Sequence, residues 1–167
     1  MNKNEVCCFS GHRPSDLPWK FKENGIRFLF FKFRLKTILK KLIKQGYTTF
    51  VSGMALGADL ILAEEVLALR NKYIDIKLIC AVPCYNQYAK WSEEDVTRYK
   101  FVLNCADEVV YVSETDYYKG CMFERNKYMI ENSSAILAVY NGKKYGGTYQ
   151  TLRMAKAARL KIFAIKP

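Results

Sequence analysis

Short apolar runs alternate with longer amphipathic stretches along the whole chain. Several of the short runs are nearly continuous, which is typical of parallel strands covered on both faces. The stretches between them have helical periodicity. Strands are predicted at Glu5–Ser10, Thr48–Ser52, Asp75–Val82, Glu108–Ser113, Ser134–Tyr140 and Lys161–Ile165. Helices are predicted at about 25–45, 57–72, 92–104, 121–132 and 147–159.

Six strands that alternate with five helices predict repeated right-handed βαβ units. We therefore expect a three-layer, Rossmann-like doubly wound α/β fold with a mainly parallel sheet of about six strands. No linker or internal repeat interrupts the pattern, so residues 1–167 are predicted to form a single domain. No apolar run approaches the ~20 residues of a membrane helix, and the first residues lack the pattern of a signal peptide. We expect a cytoplasmic protein with no membrane partner.

Glycine and polar residues follow most of the predicted strands. In doubly wound sheets, ligands bind at the carboxyl ends of the strands, where the strand order reverses. The residues in these segments are therefore candidates for one ligand-binding site. They are Gly11, His12, Arg13, Ser52, Gly53, Gly57, Asp59, Gln87, Trp91, Glu124, Arg125, Asn126, Gly146, Gly147, Thr148 and Thr151.

The segment Gly146-Gly147-Thr148 stands between a predicted strand and a predicted helix. Glycines let a ligand approach the backbone, and the N–H groups and dipole of a helix N-terminus attract phosphate. Thr148 and Thr151 would add hydroxyl donors. The same residues also suit an ordinary glycine turn with a threonine cap, and both interpretations stay open.

A second glycine turn runs from Ser52 to Asp59. It has neither the G-x-G-x-x-G spacing of a dinucleotide fingerprint nor the Gly-Lys-Ser/Thr ending of a P-loop. No cofactor is therefore predicted. Ser52, Gly53 and Asp59 are expected to contact the sugar of a ligand, while Asp59 is equally suited to capping its helix.

Two arginines are candidate phosphate contacts, because a guanidinium binds phosphate with two parallel hydrogen bonds. They are Arg13, after the first strand, and Arg125, in Glu124-Arg125-Asn126. His12 is a candidate acid or base, or a reader of a base edge, and Gln87 and Trp91 are expected on the base side. No nucleophile, histidine and carboxylate are spaced as a catalytic set, so the residues predict a binding site and leave catalysis undecided.

The six cysteines are scattered through apolar segments. The chain is too long and too apolar to need a disulfide framework. Cys80 and Cys84 form one C-x3-C pair, but no second pair or histidine cluster completes a set of four ligands. Buried thiols are predicted, and no metal site.

The chain carries 27 Lys and Arg against 16 Asp and Glu, a net charge of +11. Residues 20–44 contain nine of these cations and one acid, Glu23. The helix at 25–45 has an apolar core stripe, with Ile26, Phe30 and Phe33 roughly opposite it. Exposed apolar strips often mark interfaces. The apolar strip is interpreted as a contact with a second copy in a homodimer or with another partner. The lysines and arginines are interpreted as a nucleic-acid surface or as an ordinary solvated face.

These segments together resemble the YpsA-like branch of the SLOG superfamily, a Rossmann-like group that includes the Smf/DprA and LOG ("lysine decarboxylase-like") proteins. The resemblance covers about residues 5–165. It is carried by Ser10-Gly11-His12-Arg13-Pro14, Val51-Ser52-Gly53-Met54-Ala55-Leu56-Gly57-Ala58-Asp59, Pro83 with Gln87 and Trp91, Glu124-Arg125-Asn126, and Gly146-Gly147-Thr148-x-x-Thr151.

The resemblance implies that the protein binds a nucleotide or a nucleotide-derived small ligand. Signalling or nucleotide sensing is the role that such binding would serve. Arg125 matches an active-site arginine of the LOG proteins, which implies an alternative, N-glycosidic hydrolysis of a nucleotide. Thr151, however, stands where those proteins have their catalytic glutamate. The likeness of Val51 to Asp59 to DprA implies a further alternative, single-stranded nucleic-acid binding.

Overall fold

The computed structural model describes residues 2–167, so Met1, the first residue of the predicted domain, lies outside the described residues. Six strands form one sheet: β1 Val6–Gly11, β2 Thr49–Ser52, β3 Lys77–Val82, β4 Glu108–Tyr111, β5 Ala135–Val139 and β6 Lys161–Ile165. The helices are α1 Ile26–Lys44, α2 Ala58–Leu69, α3 Glu93–Cys105, α4 Cys121–Glu131 and α5 Gly147–Ala157. Two single-turn 3-10 helices occur at Lys3–Glu5 and Pro14–Asp16.

All strand pairs in the sheet are parallel, and the strand order is β4-β3-β2-β1-β5-β6. The predicted Rossmann-like α/β architecture is confirmed. The chain builds from β1 outward to β4 and then returns to the other side of β1. The order therefore reverses between β1 and β5, where Gly11 pairs with Val139 at the carboxyl ends. A ligand site is expected at that reversal point.

The strands begin and end close to their predicted positions, with two differences. β3 begins at Lys77 and not at Asp75, because the N–H of Ile76 donates to the carbonyl of Tyr73 in a turn (3.3 Å). β4 ends at Tyr111, two residues before the predicted end. It is an edge strand with one neighbour, so fewer hydrogen bonds define its end.

The two faces of the sheet are covered by different helices. One face of β1 carries Cys7 and Phe9 and lies in a core cluster with residues from α1, α2 and α3. The other face carries Val6 and Cys8 and packs against residues of α4 and α5. This alternation along a strand buried on both sides explains its continuous apolar sequence. All six cysteines are free thiols, five of them buried.

Helix α1 has the two apolar faces that its sequence predicts. The core stripe is buried at Phe28, Phe31, Leu35, Leu39 and Leu42 and half-buried at Ile38. The opposite strip, at Ile26, Phe30 and Phe33, is exposed. Within residues 2–167, no helix combines the length and apolarity that crossing a bilayer would take.

Candidate functional site

A cavity of about 170 Å³ lies where the strand order reverses, at the carboxyl ends of β1 and β5. It is bounded by the loop after β1, the start of α2, the first turns of α4 and the loop that leads into α5. The lining residues are Ser10, Gly11, His12, Arg13, Asp16, Asp59, Met122, Arg125, Asn126, Lys143, Tyr145, Gly146, Gly147 and Thr148.

The N-terminus of α5 opens into this cavity. Its N-cap, Gly146, has φ +88°, a left-handed conformation that favours glycine. The first main-chain N–H to bond within the helix is that of Gln150, which donates to Gly146 (3.1 Å). Among the described residues, the N–H groups of Gly147, Thr148 and Tyr149 have no acceptor, and no side chain caps the helix. Gly147 and Thr148 line the cavity, so their free N–H groups and the positive end of the helix dipole stand at a cavity that has room for an anion.

Asp59 and Arg125 form a buried ion pair at the base of the cavity. Nη1 of Arg125 lies 3.8 Å from Oδ2 of Asp59, and each residue is 4% exposed. Burial raises the pKa of Asp59, while the charges of Arg125 and Arg13 oppose that shift. Burial likewise lowers the pKa of Arg125, against the attraction of Asp59. The pair stands next to the ligand space in a largely dehydrated position.

Two polar atoms of this pair have no hydrogen-bond partner among residues 2–167: Oδ1 of Asp59 and Nε of Arg125. A buried polar atom without a partner is costly, and such atoms are rare in folded proteins. Oδ1 is able to accept a hydrogen bond and Nε to donate one. Both side chains line the cavity, but the two unpartnered atoms are themselves buried, and a Cβ on Gly53 would lie 2.9 Å from Nε of Arg125.

Two glycines of the second motif hold this arrangement in place. Nη1 of Arg125 donates to the main-chain carbonyl of Gly53, and a methyl group on Gly53 would collide with the guanidinium. Gly57 has φ +103°, and a Cβ there would lie 2.6 Å from the carbonyl oxygen of His12. That carbonyl accepts from the N–H of Ala58 (3.1 Å), which ties the start of α2 to the loop after β1. Gly53 and Gly57 therefore position the cavity without lining it.

His12 joins the loops after β1 and β5. Its Nε2 accepts from the main-chain N–H of Asn141 (3.1 Å), and its ring stacks on Tyr140 with centroids 5.8 Å apart. In this neutral form the proton is on Nδ1. Burial lowers the pKa of His12, and the charge of Asp16 opposes that shift.

Several rim residues of the cavity are absent from the predicted set. Nζ of Lys143 pairs with Asp16 at 2.9 Å and lies 5.7 Å from the ring centroid of Tyr145, which is exposed. Ser10 and Met122 complete the lining. Lys143 and Tyr145 belong to the loop after β5, just before the predicted Gly146-Gly147-Thr148 segment, and Asp16 lies three residues after Arg13. Extending each motif by a few residues would have found all three.

Other predicted residues lie outside the cavity lining and make structural contacts. Oγ of Ser52 donates to the carbonyl of Asp59 (2.9 Å) and accepts from the N–H of Met54 (3.1 Å). Nε2 of Gln87 donates to Tyr99 (3.0 Å) and to the carbonyl of Met54 (3.3 Å). Ser52 and Gln87 therefore hold the turn after β2, which carries the Gly53 contact to Arg125.

Three further predicted residues also lie away from the lining. Trp91 packs edge-on against the ring of Tyr99, with centroids 5.3 Å apart. Glu124 is exposed and accepts a hydrogen bond from the hydroxyl of Tyr118. Thr151 is buried: it donates to the carbonyl of Gly147 (2.9 Å) and accepts from Asn126 (2.9 Å), which links α4 to the first turn of α5.

The cavity is suited to an anionic ligand. Two arginines and one lysine line it, against two aspartates that pair with them. Position 151, one helical turn after Gly147, is occupied by a buried threonine. A threonine hydroxyl therefore stands where a LOG protein would have a carboxylate. Within residues 2–167, no three His, Cys, Asp or Glu side chains are grouped to hold a metal ion.

The sheet order and the glycine- and arginine-lined cavity at its reversal point define a Rossmann-like α/β protein with a candidate anion site. Residues 7–166 match the family model of YpsA, the YspA SLOG family. The chain belongs to that family.

Relatives in Bacillus are similar over most of their length. The chain is 38% identical over 141 residues to the SPbeta prophage-derived protein YoqJ of Bacillus subtilis, which is 77% of this chain and 82% of that protein. It is 28% identical over 156 residues to a UPF0398 protein of Bacillus velezensis, 93% of this chain and 85% of that one.

A solved structure of DNA processing protein A from Helicobacter pylori has a similar fold. The TM-score is 0.64 at 21% identity, over 97% of this chain. The matched part is 65% of the Helicobacter chain, and that structure was described for its mode of binding single-stranded DNA. The likeness shows a shared fold.

Proposed function

We propose that this protein binds a nucleotide or a nucleotide-derived small ligand in the cavity between β1 and β5. The observation that carries the proposal is the open N-terminus of α5, where three N–H groups have no acceptor among the described residues and Gly147 and Thr148 line the cavity. Phosphate binds well at such a position, because the donors and the helix dipole act together. Family membership and the position at the reversal point of the sheet support the same proposal.

The cations around the cavity would neutralise the phosphate. Arg13 is exposed at the rim, and Arg125 is fixed at the base by Gly53 and Asp59. Lys143 is already paired with Asp16 and would contribute a weaker, solvent-screened attraction. A buried arginine held by two contacts loses little freedom on binding, so Arg125 is the contact that orients the ligand.

The unpaired Oδ1 of Asp59 supports a sugar hydroxyl as the next contact. A hydroxyl donates to a carboxylate oxygen and would satisfy the buried acceptor at the base of the cavity. Ser52 bonds to the surrounding backbone and the carbonyl of Gly53 accepts from Arg125, which leaves Asp59 as the sugar contact of the predicted three. Tyr145 lines the cavity and is exposed, and its ring would stack on the base.

The proposal is limited to binding. N-glycosidic hydrolysis of the LOG type needs a carboxylate at the position of Thr151, and this threonine is engaged with Gly147 and Asn126. Single-stranded DNA binding, described for the Helicobacter structure, is the second candidate. It rests on a likeness of fold and on the net charge of +11.

Thermal denaturation with a ligand panel tests the proposal. The panel contains AMP, ADP, ATP, ADP-ribose and a ten-residue thymidine oligonucleotide, with inorganic phosphate as the reference anion. A ligand present at about 100 times its Kd stabilises the folded protein by about 2.7 kcal/mol, which raises Tm by roughly 5–10 °C. We expect such a rise with at least one nucleotide. No rise with any of them would contradict the proposal, and a rise with the oligonucleotide alone would favour the second candidate.

A matched pair of variants separates cavity binding from a general effect. A Cβ at Gly147 meets nothing within 4 Å, and neither does one at Gly25, the N-cap of α1. Both glycines therefore accept a larger side chain. Gly147→Val would place its side chain at the phosphate position and abolish the nucleotide-dependent rise. Gly25→Val would keep it. An equal rise in both variants would place the ligand elsewhere.

A further inference from the structure

Helix α1 carries an apolar strip that no other part of residues 2–167 covers. Ile26 is 80% exposed, Leu29 56%, Phe30 61% and Phe33 69%. Single exposed apolar residues are ordinary on protein surfaces, but four on three consecutive turns of one helix form a contiguous patch. The core stripe of α1 lies on its other face, so the exposed strip contributes nothing to the core.

The spacing along the strip is that of a coiled-coil seam. The apolar residues Ile26, Phe30 and Phe33 are separated by steps of four and three residues, and the polar Thr37, whose hydroxyl donates to the carbonyl of Phe33 (2.9 Å), follows four residues later. This alternation is the a/d pattern by which one helix packs lengthwise against another. Leu29 lies beside the seam and widens its apolar surface. The strip is therefore shaped for a second helix, and its length is about three turns.

The positions that flank the seam are cationic. Arg27, Arg34 and Lys41 occupy the successive e positions, and Lys36 occupies a g position. Within residues 2–167, no carboxylate lies within 4 Å of any of these four side chains. The ion pair of α1 with the body of the protein uses Lys32, which lies 2.8 Å from Glu65 of α2. Arg34 also donates to the main-chain carbonyl of Lys166 (3.2 Å), a contact that leaves its charge unneutralised, so the four flanking charges are open to an acidic partner.

These charges decide which partner fits. A second copy of the chain would bring cationic e and g positions against each other, and like charges across a helix pair oppose association. Single-stranded nucleic acid matches the charge, and Phe30 and Phe33 offer rings for base stacking. The aliphatic half of the strip, Ile26 and Leu29, would however stay uncovered. An amphipathic helix with apolar a and d positions and acidic e and g positions matches both the seam and its flanks.

We propose that the exposed strip of α1 is a docking surface for an acidic amphipathic helix of another protein. The nucleotide cavity is formed by other elements, so this surface stands independently of the proposed function. The apolar seam would supply most of the affinity, and the flanking arginines and lysines would select acidic partners over neutral or basic ones.

A designed peptide pair tests the proposal. The first peptide has leucine at a and d and glutamate at e and g over three heptads. The second has the same composition in scrambled order. Fluorescence anisotropy against residues 1–167 should give a Kd at least about tenfold lower for the patterned peptide. Equal affinities would mean that charge alone attracts the peptides, and would overturn the proposal.

Surface variants locate the binding. The double variant Phe30→Ser with Phe33→Ser removes the centre of the seam, and both side chains are exposed, so the fold does not depend on them. The matched control is Ile74→Ser with Phe101→Ser, at side chains 85% and 64% exposed elsewhere on the surface. The first should raise the Kd of the patterned peptide about tenfold, and the second should leave it unchanged. Equal effects of the two would overturn the proposal.

Two further outcomes identify a different occupant. Light scattering that shows a dimer, converted to a monomer by the Phe30 and Phe33 substitutions, would assign the strip to a second copy. In a competition experiment, a thymidine oligonucleotide and the unlabelled peptide each displace the labelled patterned peptide. If the oligonucleotide does so at the lower concentration, the strip is assigned to nucleic acid. Either result would overturn the acidic-helix proposal.

Discussion

The guanidinium of Arg125 donates a hydrogen bond to the main-chain carbonyl of Gly53, and any side chain on Gly53 would occupy the space of that guanidinium. The two residues come from different layers of the protein, the turn after β2 and the first turns of α4. Their contact fixes the arginine beneath the cavity, where it also faces Asp59. A glycine required by packing thus supports a residue proposed to bind phosphate.

Substitution of Gly53 by alanine should destabilise the fold and weaken nucleotide binding together. The methyl group would displace Arg125, and overpacking of this kind costs about 1–3 kcal/mol. Tm should fall by several degrees in calorimetry, and the nucleotide-dependent rise should be lost. Gly25→Ala, at a position with open space, is the matched control.

A double-variant cycle checks the cause. Arg125→Lys removes the planar guanidinium, so combining it with Gly53→Ala should cost less than the sum of the two single changes. We expect a coupling free energy of at least about 1 kcal/mol. Additive effects would show that the Gly53 methyl group collides with something other than Arg125.

The stability of the protein should depend on the protonation of His12. Burial places the folded-state pKa of His12 below its ordinary value of 6.5. The unfolded chain therefore binds the proton more tightly, and the stability contributed by neutral His12 is complete above about pH 6.5 and lost as the pH falls below it. Protonation of Nε2 would also break the hydrogen bond from Asn141.

The measurement is Tm against pH for the wild type and for His12→Gln. A glutamine oxygen accepts a hydrogen bond and does not titrate, so the wild type should lose more stability than the variant between pH 7 and pH 5. The gap in Tm between the two proteins should narrow toward low pH. Parallel curves would show that His12 is not the titrating group.

Asp59 should make binding depend on the sugar hydroxyls. Hydrogen bonds to charged groups contribute about 1.5–3 kcal/mol, so AMP should bind roughly 10- to 100-fold more tightly than 2′,3′-dideoxy-AMP. Asp59→Asn should reduce that ratio about tenfold while retaining the shape of the side chain. Calorimetric titration measures both. Equal affinities of the two nucleotides would show that Asp59 does not contact the sugar hydroxyls, while the proposal for phosphate binding would stand.

Much of the fold could be predicted because its signals are local. Continuous apolar runs separated by amphipathic segments predicted the strands, the helices and the parallel sheet. The same reasoning predicted the edge of the sheet where Gly11, Arg13, Arg125 and Gly147 meet. It also predicted the second apolar face of α1.

The direction in which a polar side chain points was not predictable from its place after a strand. Ser52 and Gln87 suit a ligand and a backbone carbonyl equally well as hydrogen-bond partners, and in the structure they contact the backbone. The Lys143–Asp16 pair joins residues 127 positions apart, which no local pattern contains. The sequence suited Asp59 equally to a helix cap and to a ligand contact; in the structure of residues 2–167 no side chain caps α2, and Asp59 faces Arg125.

The central claim is that the first turn of α5 binds the phosphate of a nucleotide. The most direct measurement is a titration of the ¹⁵N-labelled protein with ADP, followed by the amide signals in two-dimensional NMR. The account predicts that the amides of Gly147, Thr148 and Tyr149 shift most and saturate together, while those of α1 do not move. Saturable shifts centred on α1, or none at the start of α5, would contradict it.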